Sequence, residues 1–136
     1  ANKVLIENKK VVLIDDSIVR GTTAIKIVEM MRNAGALEVH MRISSPPIKF
    51  PDFYGIDTPS LSELIASSKS IEEIKALLKL DSLHFLSLEG LYQSMGHEAR
   101  DNTNPQYTDH CFTGEYPTKL VDRDEGALAN QLSLLN

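Results

Sequence analysis

A single cysteine, Cys111, is all the thiol that the 136 residues contain. One thiol builds neither a disulfide framework nor a thiolate zinc cage, and it fits a reducing, cytoplasmic setting. Long apolar runs are missing too. Nothing approaches the roughly 20 residues needed to cross a bilayer, and the first ten residues mix charge with Val4, Leu5 and Ile6 instead of forming a secretory signal. No membrane is expected as a partner. Positive charge is scarce, with 14 Lys plus Arg against 19 Asp plus Glu and a net charge of −5. Nucleic acid is therefore not expected either, because phosphate neutralisation needs clustered cations. There is no Gly-x-x-x-x-Gly-Lys segment, which excludes a P-loop nucleotide hydrolase. His40, His84, His97 and His110 form no pair with helical ligand spacing, which argues against a zinc site.

What is present reads as one α/β domain, with 42% hydrophobic and 24% charged residues. Val11-Val12-Leu13-Ile14 is a continuous apolar run, as expected of a strand buried on both faces. A helix can begin at Thr22 or Thr23; its apolar stripe is Ala24, Ile27, Val28 and Met31, and Gly35 is placed to cap it. Residues 37–43 alternate as a second strand, completing a βαβ unit with parallel strands. Pro46 and Pro47 close that strand, and residues 49–59 read as a long loop. Ser60 with Glu63 and Ser70 with Glu73 have capping-box spacing, predicting helices over 60–66 and 70–80. A short strand over 83–87 and a short helix over 88–95 follow. Residues 96–117 read as polar surface loop, and 126–135 as an amphipathic helix.

The chemistry concentrates after the first strand, in Asp15-Asp16-Ser17-Ile18-Val19-Arg20-Gly21-Thr22-Thr23. A buried strand here delivers two carboxylates to its C-terminal end, where open α/β sheets bind ligands. The turn that follows has a glycine, two threonine hydroxyls and the free amides of a helix start, the ingredients of an anion site. Carboxylates beside a phosphate cradle suit a ligand that carries hydroxyls, phosphate and a magnesium ion. Capping by Thr22 or Thr23 uses the same amides, so capping and phosphate binding are compatible. Arg20 either pairs with a surface acid or stands beside the phosphate. Cys111 reads as a small buried hydrophobe and His40 as a structural or solvated strand residue.

This segment resembles the phosphoribosyl pyrophosphate motif of type I phosphoribosyltransferases. The resemblance extends to Ile43-Ser44-Ser45-Pro46-Pro47-Ile48, Phe53-Tyr54-Gly55-Ile56-Asp57-Thr58, Glu63-Leu64-Ile65-Ala66, Phe85-Leu86-Ser87-Leu88-Glu89-Gly90-Leu91 and Cys111-Phe112-Thr113-Gly114-Glu115-Tyr116-Pro117-Thr118. In that order and spacing, the blocks are similar to the amidophosphoribosyltransferase family. The resemblance implies a partly parallel sheet flanked by helices, with residues 1–136 as the C-terminal part of the transferase domain. On this reading the glutaminase domain and the upstream half of the transferase domain are absent. It also implies that Asp15 and Asp16 hold the ribose hydroxyls and Mg2+ of phosphoribosyl pyrophosphate, that residues 17–23 wrap its 5-phosphate, and that ammonia from glutamine displaces pyrophosphate in the first step of purine synthesis. Purine nucleotides are the implied inhibitors. A homo-oligomer, or association with the missing N-terminal part, is the implied assembly, and the chain alone is expected to be inactive.

Some relatives carry an iron–sulfur cluster, and the matching positions here are Asp52, Pro105 and Thr108, with only Cys111 retained. One thiolate does not hold a cluster, so none is expected. Two other readings compete. A response-regulator receiver also has acids after its first strand, but it needs a later phosphoacceptor aspartate where this chain has Ser44-Ser45-Pro46-Pro47 and Leu86-Ser87. A non-catalytic phosphoribosyl pyrophosphate or nucleotide sensor is the other alternative; a DNA-binding version of it would call for a basic face.

Overall fold

The structure is a computed structural model and describes residues 2–56 and 58–120. Strands β1 (Lys10–Asp15), β2 (Glu38–Ile43) and β3 (Ser82–Phe85) form one sheet in the order β1-β2-β3. Both pairings are parallel, with Val12 opposite His40 and Ile14 opposite Arg42. Short helix α1 (Lys3–Ile6), in a stretch the sequence left unassigned, leads into β1 and is capped by the Asn2 side chain. Helix α2 (Thr22–Asn33) makes the crossover from β1 to β2.

One face of the sheet carries the core. Leu13, Val39, Met41, Ile43, Leu83 and Phe85 meet Ala24 and Val28 of α2, Ile65 and Ala66 of α3 (Ile65–Ser68), and Ile74 of α4 (Ile71–Leu77). The opposite face corrects the expectation that β1 is buried on both sides: Val12 is 57% and Ile14 is 77% exposed. On β2 and β3 the same face is polar, with His40 Nδ1 and Arg42 Nη1 both meeting Ser82 Oγ. An apolar run signals a strand without telling which of its faces is covered.

Helix ends follow their local chemistry. Gly35, at φ 89°, terminates α2 in a Schellman motif, where Gly35 N–H donates to Arg32 O and Ala36 N–H to Met31 O. Ser70 caps α4 through a reciprocal exchange with Glu73, as its spacing predicts. The helix is shorter than 70–80 because Lys79 takes a left-handed conformation, φ 55°, and closes the helix. The helix expected over 60–66 is broken: one 3-10 turn at Leu61–Glu63 is followed by extended Leu64 and then α3. The reason lies in tertiary contacts, since the Leu64 side chain is fully buried and Ile65 N–H donates to Val19 O at 2.9 Å.

The stretch 96–117 is not simply surface loop. After α5 (Leu88–Ser94) the chain returns as α6 (His110–Thr113), and Asp109 and His110 are each only 4% exposed. Asp109 accepts hydrogen bonds from Tyr92 Oη (2.8 Å) and Arg100 Nε (2.5 Å), which join the loop to α5. The amphipathic helix expected over 126–135 lies outside the described residues.

Candidate functional site

The turn between β1 and α2 lines a half-open cavity of about 280 Å3 with ten consecutive residues, 15–24. β1 ends at Asp15, so both carboxylates arrive at the C-terminal edge of the sheet, as the sequence predicts. Asp15 Oδ1 accepts the Asp16 amide at 3.0 Å, and Asp16 Oδ1 accepts the Ser17 amide at 2.6 Å. Each bond curls the chain and engages one oxygen of its carboxylate.

Two anchors keep the rest of the turn in place. The Ile18 side chain is 3% exposed and belongs to the core cluster, while the Val19 carbonyl accepts from Ile65 N–H. Gly21 is the N-cap of α2 in a left-handed conformation, φ 79°, and no side chain caps the helix. An added Cβ there would lie 3.0 Å from Ile65 Cδ1, so a side chain would meet both a left-handed dihedral and a methyl group that has to give way. The amides of Thr22, Thr23 and Ala24 open α2 without intrahelical acceptors, at the positive end of the helix dipole. The Thr22 and Thr23 hydroxyls, for which the sequence allowed capping and phosphate binding together, are not caps.

All nine residues singled out by the sequence, Asp15 to Thr23, therefore line one cavity. Arg20 takes the surface-acid alternative and stays at the cavity. It borders the cavity, and its Nε donates to Glu63 Oε1 at 3.0 Å. Carboxylates at one end and free amides with hydroxyls at the other make a surface for a polyol phosphate. The oxygens of Asp15 and Asp16 are hard donors that fit Mg2+, which takes one or two carboxylates together with substrate oxygens.

A second constellation was missed at the sequence level. Asp52 and His110, 58 positions apart, form a buried pair, Nε2 to Oδ1 at 2.6 Å, with Cys111 beside them. Burial pushes the Asp52 carboxyl up, but the Ile56 and Tyr54 amides and His110 outweigh it and hold the carboxyl below its usual range. Burial, and then Asp52, pushes the Cys111 thiol up. One neutral-leaning thiol, a carboxylate and an imidazole do not fit an iron–sulfur cluster, which is held chiefly by thiolates. Cys111 is only partly buried, less than the hydrophobe reading implied. The only local signal for His110 was the surrounding polar sequence, and that pointed to the surface.

Among the described residues, no helix is long and apolar enough to cross a membrane. No family model matches the chain. The amidophosphoribosyltransferase of Rhizobium etli is 54% identical over 136 residues, which is 99% of this chain and 27% of that protein. That of Bacillus subtilis is 55% identical over 116 residues, 85% of this chain and 24% of the relative. A solved structure of glutamine phosphoribosylpyrophosphate amidotransferase from Bacillus subtilis, complexed with ADP and GMP, superposes with a TM-score of 0.81 at 53% identity, covering 90% of this chain and 27% of that one. The chain thus spans roughly a quarter of the length of the curated relatives it matches.

Proposed function

Because the chain belongs to the amidophosphoribosyltransferase family, we propose that the cavity of residues 15–24 binds phosphoribosyl pyrophosphate for the transfer of ammonia from glutamine. The product is 5-phosphoribosylamine, the first intermediate of purine synthesis, and pyrophosphate leaves. One observation carries this reading: ten consecutive residues line a cavity with two carboxylates at one end and uncapped helix amides at the other.

The 5-phosphate takes the amides of Thr22, Thr23 and Ala24, where backbone N–H groups and the helix dipole favour an anion. The hydroxyls of Ser17, Thr22 and Thr23 supply further donors. Asp15 and Asp16 receive the ribose hydroxyls. Their negative charge also stabilises the positive charge that develops on the ribose ring as the bond to pyrophosphate lengthens. Neither acid acts as a general base in this scheme. Mg2+, when bound with the substrate at these carboxylates, supplies charge neutralisation of the leaving pyrophosphate.

Residues 1–136 are read as the C-terminal part of a transferase domain, and this part binds and positions substrate. By itself it is expected to show no turnover. A purine nucleoside monophosphate offers the same 5-phosphate and ribose hydroxyls, so nucleotides are expected to compete for the cavity. The ADP and GMP carried by the Bacillus subtilis structure support this reading. The half-exposed face of Val12 and Ile14 on edge strand β1 supports association, with the rest of such an enzyme or with another copy.

Calorimetric titration of phosphoribosyl pyrophosphate, with and without Mg2+, tests the site. Wild type is expected to bind with Mg2+ assistance, and Asp15→Asn/Asp16→Asn to lose that assistance. Equal binding by the double variant would refute the assignment.

A further inference from the structure

The turn that builds the cavity is fixed from outside by a segment more than forty residues downstream. Two ties connect them. Ile65 N–H donates to the Val19 carbonyl at 2.9 Å, and Arg20 Nε donates to Glu63 Oε1 at 3.0 Å. The second tie ends on a side chain that borders the cavity.

Glu63, about half exposed like Arg20, has hydrogen-bond partners within its own turn. Its Oε2 accepts the Ser60 amide at 3.2 Å and the Ser60 hydroxyl at 2.9 Å, so the carboxylate is locked onto its own turn while Oε1 faces Arg20. That turn is bolted to the core by Leu64, which is fully buried, and by Ile65. Hydrogen bonds from Ser60 and then Arg20 hold the Glu63 carboxyl below its usual range. Exposed ion pairs usually contribute little because two long side chains must be ordered together. Here one partner is ordered already. The bond engages only Nε of the guanidinium and leaves both Nη groups without a hydrogen-bond partner among the described residues.

We propose that Glu63 is a positioning residue for anion binding: it fixes the Arg20 side chain so that the Nη edge of its guanidinium serves the phosphate in the cavity of residues 15–24. The inference rests on the reading of that cavity as a phosphoribosyl site, and it adds a residue from outside the motif. An arginine that must be ordered when the ligand arrives weakens binding by the entropy of its many rotamers; one already fixed does not. Glu63 touches neither ligand nor cavity in this scheme and acts only through Arg20.

The test is calorimetric titration of ribose 5-phosphate into the full chain, arranged as a double-mutant cycle. Glu63→Ala is expected to weaken binding about threefold to tenfold, the range for immobilising one long side chain. Glu63→Gln, whose single carbonyl oxygen serves Arg20 or Ser60 but not both, is expected to recover only part of that loss. In an Arg20→Ala background both Glu63 variants have no further effect. If Glu63→Ala destabilises the fold, as read by its urea midpoint, the Gln variant in the two backgrounds carries the comparison. Tighter binding by either Glu63 variant would overturn the proposal, because Glu63 would then be competing with the ligand for Arg20. A loss of the same size with and without Arg20 would overturn it too, since Glu63 would then only be shaping its own turn. Wild type that binds with Glu63→Ala unchanged refutes the positioning role alone, whereas wild type that does not bind ribose 5-phosphate refutes the cavity assignment with it.

Discussion

Gly21 carries two constraints in one residue. Its φ of 79° belongs to the left-handed region, and a methyl group in place of its hydrogen would stand 3.0 Å from Ile65 Cδ1. The left-handed conformation alone costs an alanine roughly 1–2 kcal/mol, and the Ile65 methyl must shift as well. Gly21→Ala is therefore expected to lower the urea midpoint by an amount of that order. It should also weaken ribose 5-phosphate binding, because the Thr22 and Thr23 amides turn with it. A variant with unchanged midpoint and affinity would show that the turn tolerates a right-handed residue here. At this scale the sequence was most informative where residues act on their neighbours. The nine residues of the motif were legible because they are contiguous: strand end, acid pair, glycine and helix start follow one another in the chain and converge without long-range help. Glu63 and Ile65, which hold that turn, were not legible as its partners. Their spacing from Arg20 and Val19 carries no periodic signal. Asp52 and His110 escaped for the same reason.

Helices α2 and α4 illustrate what capping chemistry settles by itself. Gly35 closes α2 as its left-handed preference predicts, and Ser70 opens α4 with Glu73 reaching back. Ser70→Ala is expected to cost about 1 kcal/mol, the usual value of a lost N-cap, measurable as a shift in urea midpoint with no change in ligand affinity. Ser60 and Glu63 have identical spacing but end in a single 3-10 turn, because Leu64 is drawn into the core and its successor bonds to Val19. Local pattern proposes an element; tertiary demand decides its length. β1 shows the complementary case, in which Val12 and Ile14 carry a buried-strand pattern on a face that the described residues leave half open.

For the molecule as a whole, the buried carboxylates set an acid limit. Asp109, like Asp52, is pushed up by burial, but Arg100 and Tyr92 outweigh that and hold it below its usual range. A carboxyl lowered in the native state contributes fully above its unfolded value of about 3.9 and loses that contribution as pH falls through the native value. Stability is thus expected to be level from these groups above about pH 5 and to decline below about pH 4. Asp52→Asn is expected to make that decline shallower. A urea midpoint that stays flat from pH 6 to pH 3 would count against both pairs. The exposed Val12 and Ile14 on an edge strand lead to a separate expectation, that sedimentation of the isolated chain shows concentration-dependent association; a monomer stable to dilution would argue that this face needs no partner.

The clamp on the cavity has a consequence in time. Everything that lines the cavity belongs to one stretch, residues 15–24, but the carboxylate that holds Arg20 comes 43 positions later. Synthesis runs from the N-terminus at roughly 5–20 residues per second, so about two to eight seconds separate Ala24, the last residue to line the cavity, from Glu63. A nascent chain passes through an interval in which residues 15–24 are present and the Glu63 partner of Arg20 is not yet made.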